Sequence, residues 1–313
     1  MGLRKTTRKA FRMLSFNLRF YKNIRSKNLE PNNFAHEIIL NPKDKSYNVS
    51  IPKIIWMYWD SEIPAIVLSC FNQIQKLNPT YEINFLNKEN ISNYCDYDFS
   101  QFNNLTPQQY SDLLRFHLLY HHGGLWLDAS IITYSNLDWI LDICKKNKTS
   151  AFGYYRAANV TIHEFPVIEN WLLASEKGNI FFKEWLDELG NALKIGVKLY
   201  ISNIKKNLIN PNDYFQKIGA LEYLIAYVVC QKVMRKIPIS ISLINCDQNA
   251  FFYQNIDLKC NLYFIESLVL KEKPSCMPHL IKLIGSDRKL ITPYFLKKKF
   301  KKNSLLDFDD SEC

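Results

Sequence analysis

Three ionisable side chains near the middle of the 313-residue chain are spaced so that they could act on a bound ligand. Asp112 and Arg115 are three residues apart, which places both on one face of a helix. Asp128 follows Leu125–Leu127, an apolar run typical of a strand that is buried on both faces. Ligands of open α/β sheets bind at the carboxyl ends of strands, where a carboxylate oxygen could also hold a divalent cation. Taken alone, Asp112 and Arg115 are better explained as a surface ion pair, which contributes little.

The residues around this group predict a helix, a glycine turn and a strand. Thr106 is a good N-cap residue, and Pro107 is tolerated at the first helical position. Gln109, three residues after Thr106, completes a capping-box pattern. Gly123 and Gly124 are expected to end the helix, because glycine adopts the left-handed conformation at little cost. The helix is therefore predicted to lead directly into the strand that ends at the carboxylate.

The segments upstream of this helix alternate between strand and helix patterns. They are strand Ile54–Trp59, helix Pro64–Leu77, strand Tyr81–Leu86 and short helix Ile91–Tyr94. Such an order favours an α/β fold with parallel strands, as in a nucleotide-binding half-domain. Downstream, the patterns predict strand Ser150–Tyr155, helices Phe181–Ile195 and Leu221–Lys236, and strand Ile237–Ile244. Residues 196–218 are rich in lysine and asparagine, and we expect a mobile loop there.

Two blocks of sequence resemble a known family of enzymes. Residues 111–130 read Ser-Asp-Leu-Leu-Arg, Gly-Gly, Leu-Trp-Leu and Asp-Ala-Ser in order, and residues 51–59 read Ile-Pro-Lys-Ile-Ile-Trp-Met-Tyr-Trp. Both resemble the glycosyltransferases with a DXD-type sugar-binding region, in the capsular polysaccharide synthesis branch. The resemblance implies a GT-A fold, a Rossmann-like, mostly parallel sheet flanked by helices. It also implies transfer of a sugar from a nucleotide-sugar donor, expected to be a UDP-sugar, with retention of the anomeric configuration. The acceptor would be a growing capsular or lipopolysaccharide-type glycan, free or lipid-linked.

The same resemblance suggests which residues contact the donor. Asp112 and Arg115 would bind donor hydroxyls. Trp59 would stack on the nucleotide base, with Tyr58 as the second candidate, although an aromatic residue in a strand is by default a core residue. A position at the end of a strand beside the expected site strengthens the functional interpretation for Trp59.

Two later blocks extend the resemblance, at residues 165–175 and 277–283. Glu169 and Asn170 are possible sugar contacts and, with Asp128, the candidate catalytic residues, although asparagine also favours turns at strand ends. Lys282 could neutralise a leaving diphosphate, since lysine serves as a point charge for phosphate. His279 could bind a metal ion or a phosphate. For both Lys282 and His279 the alternative is a solvated surface residue, which is the more frequent place for a lone lysine or histidine.

The resemblance also implies a divalent cation, Mn²⁺ or Mg²⁺, because hard oxygen ligands suit these ions. Asp128 is the first carboxylate of the DXD-type motif, and Ser130 stands where the second is expected. A neutral hydroxyl is a poorer ligand than a carboxylate. Two alternatives follow for the charge that develops on the diphosphate. Either a cation is held by Asp128, Ser130 and a C-terminal group such as His279, or Arg115 and Lys282 neutralise the diphosphate.

The net charge of +10 lies at the two ends of the chain. Residues 1–27 contain nine Lys or Arg and no acid, residues 297–302 contain five Lys, and residues 28–296 contain 26 basic and 26 acidic residues. This distribution predicts a basic arm at 1–27, a catalytic domain at 28–296 and a basic, then acidic, tail at 297–313. A neutral body argues against a nucleic-acid-binding protein.

Apolar residues recur every three or four positions through the N-terminal arm, at Phe11, Leu14, Leu18, Tyr21 and Ile24. Interleaved with basic residues, they predict either an amphipathic helix on an anionic membrane surface or a disordered leader. Eight scattered cysteines without a Cys-x-x-Cys pair favour a reducing cytosol. The sequence therefore predicts a cytoplasmic enzyme, peripheral at the inner face of a membrane. The alternatives are a non-catalytic nucleotide-sugar-binding relative and a basic nucleic-acid-binding protein.

Overall fold

The computed structural model describes residues 2–31, 35–257 and 261–308, and a seven-stranded mixed sheet forms its centre. The strands of the chain are β1 (Glu37–Leu40), β2 (Ile54–Tyr58), β3 (Glu82–Leu86), β4 (Gly124–Leu127), β5 (Ile131–Thr133), β6 (Ala151–Tyr155), β7 (Ile168–Ser175), β8 (Ile241–Asn245) and β9 (Leu280–Lys282). The large sheet has the order β1-β8-β6-β7-β4-β2-β3, and β5 pairs with β9 in a separate ladder. Five of the seven strands point the same way, since only β1 and β7 run antiparallel to their neighbours.

Helices cover both faces of this sheet. They are α1 (Gly2–Tyr21), α2 (Ala65–Leu77), α3 (Pro107–His121), α4 (Asp138–Asn147), α5 (Ile180–Ile195), α6 (Val197–Asn207), α7 (Pro211–Phe215), α8 (Ile225–Lys236), α9 (Phe252–Asn255), α10 (Leu262–Val269) and α11 (Gly285–Leu296). Successive strand residues point to opposite faces, so Ile55 and Leu125 enter one hydrophobic cluster, whereas Trp56 and Trp126 enter the other. The predicted α/β class, with a mostly parallel sheet flanked by helices, is confirmed.

The predicted elements around Asp128 are present, and the bounds of most others agree within a few residues. Residues 196–218 are the main correction, because they contain helices α6 and α7 where we expected a mobile loop. Tyr200, Ile201, Tyr214 and Phe215 are buried there. The prediction was wrong because it rested on the lysines and asparagines, which lie on the exposed side. The apolar residues of this segment pack against partners that are distant in the sequence.

The N-terminal helix α1 packs on the body of the protein through one face. Phe16 is fully buried, Met13 and Phe20 pack on the core, and Arg19 forms an ion pair with Glu266. The apolar residues predicted to face a membrane remain at least 51% exposed: Phe11, Leu14, Leu18 and Tyr21 on the other side of α1, and Ile24 just after it. No helix in the described ranges is both long and apolar enough to cross a membrane.

The basic segment 297–302 lies against α1. Arg25 donates a hydrogen bond from Nη1 to the backbone oxygen of Lys302 at 2.8 Å. The Lys299 ammonium lies over the rings of Phe20 and Tyr21, at 5.4 and 5.2 Å from their centroids. The two basic ends of the chain therefore meet on one surface.

Candidate active site

Helix α3 and strand β4 place the first candidate residues. Thr106 accepts from the backbone N–H of Gln109 at 3.2 Å, and the Gln109 side chain accepts from the Thr106 N–H at 3.0 Å, so both halves of the capping box are present. Gly123 has a φ of 70°, and a Cβ there would lie 2.6 Å from the backbone nitrogen of Lys177. Gly124 has a φ of 90°, and a Cβ there would lie 2.5 Å from the Ile54 oxygen. Only glycine therefore permits this close approach between the turn and β2.

Arg115 is the centre of a buried polar network. Its Nη1 donates to the backbone oxygen of Asn170 at 2.7 Å and lies 3.2 Å from Asp112 Oδ1. Its Nη2 lies 3.3 Å from Asp128 Oδ1. Asn170 Nδ2 in turn donates to Asp112 Oδ1 at 3.0 Å. The Asp112 and Arg115 side chains are only 2% and 5% exposed, so the alternative of a surface ion pair is wrong.

Asp128 sits directly after β4, at the carboxyl end of a strand that is parallel to β2. Oδ2 accepts from Lys282 Nζ at 2.5 Å, and Oδ1 accepts from Trp126 Nε1 at 3.2 Å. Burial raises the pKa of Asp128, but the positive charges of Lys282 and Arg115 outweigh it and hold this pKa below its usual value. The carboxylate is therefore ionised and held by two cations.

Lys282 reaches Asp128 from 154 residues further along the chain. It is the last residue of β9, which pairs antiparallel with β5 so that Ile131 lies opposite Lys282. The Lys282 side chain is 7% exposed. The separate two-stranded ladder is thus the element that brings the ammonium to the carboxylate.

Ser130 and Arg288 form a second contact beside this pair. Ser130 Oγ donates to the Leu283 oxygen at 2.9 Å and accepts from Arg288 Nη1 at 3.0 Å. The Arg288 guanidinium lies 5.3 Å from the ring centroid of Trp59, which is half-buried. Arg288 was missed by sequence reasoning. Its only signal is a basic residue in the first turn of the helix that follows the Lys282 block.

The other predicted residues lie in separate contacts. Glu169 Oε2 accepts from Trp171 Nε1 at 3.0 Å and from the Tyr227 hydroxyl at 2.9 Å, and burial raises the pKa of Glu169. Tyr58 stacks on Tyr110 with 5.5 Å between ring centroids. Glu169 and Asn170 belong to strand β7 and do not form the strand-end turn considered from the sequence.

His279 lies at the opposite end of the β5–β9 ladder from Lys282. Its Nδ1 is 2.9 Å from Ser135 Oγ, and its ring stacks on Trp139 at 4.6 Å. Its backbone oxygen accepts from the N–H of Tyr134, one residue beyond β5. His279 is therefore not brought together with Asp128 and Ser130.

The oxygen atoms of Asp128 and Ser130 do not fit a binding site for a divalent cation. Both carboxylate oxygens already accept hydrogen bonds, two of the donors being cations, and the Ser130 hydroxyl is bound to a third cation. Within the described ranges, no three His, Cys, Asp or Glu side chains form a group that could hold a metal ion. The arrangement instead presents positive charge from three elements next to one carboxylate. Such charge can stabilise an anionic leaving group.

Comparisons with known proteins give a consistent assignment. The profile of a family described as "Capsular polysaccharide synthesis protein" matches residues 12–218. "O-glycosyltransferase braB" of Annulohypoxylon truncatum is 28% identical in an alignment of 159 residues that covers 44% of this chain. The match spans only 37% of that relative's length.

Solved structures show a weaker likeness. The structure titled "PaToxG Glycosyltransferase" has a TM-score of 0.35 at 16% identity, covering 94% of this chain and 96% of that chain. The apo form of the glycosyltransferase GlyE of Streptococcus pneumoniae TIGR4 has a TM-score of 0.40 at 10% identity, covering 82% and 66%.

Proposed function

Since the chain belongs to the capsular polysaccharide synthesis protein family, we propose that it is a glycosyltransferase that uses a nucleotide-sugar donor, a UDP-sugar in the first instance. The acceptor would be a growing surface glycan, capsular or lipopolysaccharide-type, and the anomeric configuration would be retained. The observation that carries this proposal is the buried network that joins Arg115 to Asp128 at the carboxyl end of β4. Ligands of α/β sheets bind at such an edge.

The residues of the network would have distinct roles in this reaction. Cleavage of the bond between the anomeric carbon and the diphosphate places negative charge on the leaving group, and Lys282 would stabilise it. Asp128, 29% exposed, is the carboxylate that faces the donor sugar. Asp112 and Asn170 hold the Arg115 guanidinium, and Arg115 in turn holds Asp128. Preorganised charges of this kind need no rearrangement as the leaving group departs.

Glu169 and Trp59 would act at the edges of this network. Glu169, which accepts a hydrogen bond from Tyr227, immediately precedes Asn170 on β7, and we assign it a role near the sugar. Trp59 follows β2 at the same sheet edge and offers a half-buried ring to the base of the nucleotide. Tyr58, buried against Tyr110, would support Trp59 from the strand.

A screen of nucleotide sugars for release of the free nucleoside diphosphate tests this function. We expect release with at least one donor, and loss of it in Asp128→Asn. Asp142→Asn is the matched control, because Asp142 is 73% exposed on α4 and pairs only weakly with Lys145, at 4.0 Å. A protein that binds a nucleotide sugar but releases nothing, with and without glycan acceptors, would instead be a non-catalytic binding relative.

We also propose that the enzyme works in the cytoplasm at the inner face of a membrane, where a lipid-linked acceptor would sit. The support is the surface on which both basic ends meet beside the exposed apolar row of α1. Each Lys or Arg near an anionic leaflet contributes about 1 kcal/mol of attraction. In addition, α11 begins three residues before Arg288 at the site, and Tyr294 near its other end contacts Phe16 of α1. Arg288 and Tyr294 are six residues apart, about 9 Å along the helix axis, so α11 joins the site to the helix of the proposed membrane surface.

A further inference from the structure

Three cations from three different elements meet around Asp128 and Ser130. Arg115 comes from α3, Lys282 from β9 and Arg288 from the first turn of α11. Arg115 and Lys282 bind the two oxygens of the carboxylate, and Arg288 binds the serine hydroxyl two residues later. Asp112 and Asp128 lie in direct contact with Arg115 and Lys282, whereas Arg288 is bound to the neutral hydroxyl of Ser130.

We propose that this cluster binds the diphosphate of the donor directly, without a divalent metal ion. This inference rests on the proposed function and names the groups that do the work of the cation there. Its basis is the surroundings of Asp128. The oxygen atoms that would have to ligate a metal ion already accept hydrogen bonds from protein groups, and the nearest side-chain charges would repel a metal ion. The same charges attract an anion.

Of the three cations in the cluster, Arg288 is the one that we expect to be most accessible to the diphosphate. Lys282 and Arg115 are 7% and 5% exposed, whereas Arg288 is only half-buried. Its planar guanidinium can bind two phosphate oxygens at once, with more donors than a lysine offers. It occupies the space beside Ser130, where the family motif would carry a second carboxylate. A cation next to that position explains why a neutral hydroxyl suffices there.

Trp59 connects this cluster to the base of the nucleotide. The Arg288 guanidinium lies over the Trp59 ring, which holds a flexible side chain in one place by a cation–π contact. A diphosphate bound to Arg288 would therefore leave the nucleoside next to the same tryptophan. Phosphate and base recognition would be coupled through one pair of side chains.

The test is calorimetric binding of inorganic pyrophosphate and of UDP to the full-length protein after treatment with a chelator. We expect dissociation constants within about threefold of those measured with Mn²⁺ present, and binding that weakens as salt screens the charges. Arg288→Ala should weaken pyrophosphate binding at least tenfold. Lys289→Ala is the matched control, because Lys289 is the next residue of α11 and is exposed.

Binding that occurs only with Mn²⁺, no binding under either condition, or an Arg288→Ala variant that behaves like Lys289→Ala would overturn the inference. These results are separable from failure of the proposed function. Sugar transfer that requires Mn²⁺ leaves the glycosyltransferase proposal standing and removes the metal-free cluster. Metal-free pyrophosphate binding without turnover of any nucleotide sugar leaves the metal-free cluster standing and removes the glycosyltransferase proposal.

Discussion

Replacing Asp128 by asparagine should destabilise the protein as well as inactivate it. The carboxylate is the partner of two cations, Lys282 at 2.5 Å and Arg115 at 3.3 Å, whose side chains are 7% and 5% exposed. Removing one partner of a buried ion pair costs about 3–5 kcal/mol, because the other charge stays buried without compensation. Asp128 keeps 29% of its side-chain surface exposed, which favours the lower end, about 3 kcal/mol.

The loss should appear in the melting temperature and in chemical denaturation. At about 2 °C per kcal/mol for a protein of this size, the melting temperature of Asp128→Asn should fall by about 6 °C. Burial already lowers the pKa of Lys282, and its attraction to Asp128 opposes that effect. Without the carboxylate, Lys282 can lose its proton, which limits the cost. The control Asp142→Asn should change the unfolding free energy by less than about 0.5 kcal/mol.

A double-mutant cycle separates this electrostatic account from a general packing defect. Asp128→Asn/Lys282→Met removes both charges and should recover most of the lost stability, while remaining inactive. Recovery without activity would identify the pair as both structural and functional. If Asp128→Asn unfolds like the Asp142→Asn control, or if the double variant is no more stable than Asp128→Asn, the cations do not depend on this carboxylate and the reasoning fails.

Three further predictions concern other parts of the molecule. Burial raises the pKa of Asp112 to about 6, so we expect turnover to decrease when the pH is lowered past about 6, because protonation of Asp112 releases Arg115. The pH profile of Asp112→Asn should lack this acidic limb. An acidic limb that persists in the variant would refute the assignment. Because this pKa is raised on folding, the group's contribution to stability is full below about pH 4 and is lost as pH rises through about 6, which denaturation of the variant across that range would check. Thr106→Ala should cost about 1 kcal/mol by removing the cap of α3, and an unchanged denaturation midpoint would contradict that value. Leu14→Ser/Leu18→Ser should reduce co-sedimentation with anionic vesicles at low salt without changing the melting temperature, since both residues are more than half exposed; equal sedimentation would remove α1 from the membrane proposal.

The vesicle test uses point substitutions because α1 is part of the folded body. Deletion of residues 1–27 would remove Phe16, which is fully buried, and the ion pair of Arg19 with Glu266. Such a protein would lose core packing together with its basic charge, so a change in vesicle binding could not be assigned to either. Substitutions on the exposed row leave the packed face intact.

The amino-acid sequence by itself determined the helix, turn and strand that lead to Asp128. The capping box of Thr106 and Gln109, the two glycines and the apolar run after them each act over a few residues, through local hydrogen bonds and backbone conformation. For that reason α3 begins at Pro107, as its cap predicts, and the carboxylate stands at a strand end. This same local segment is one of the two main blocks that carry the family resemblance.

Only the tertiary structure decided which charges meet at that strand end. Lys282 arrives from 154 residues away through the β5–β9 ladder, and Arg288 follows on a helix whose only sequence signal is one basic residue in its first turn. The burial of Asp112 with Arg115, the packed face of α1 and the folding of residues 196–218 into helices likewise depend on partners distant in sequence. The burial of a side chain and the charges next to it depend on how the whole chain folds, so a local sequence pattern does not predict them.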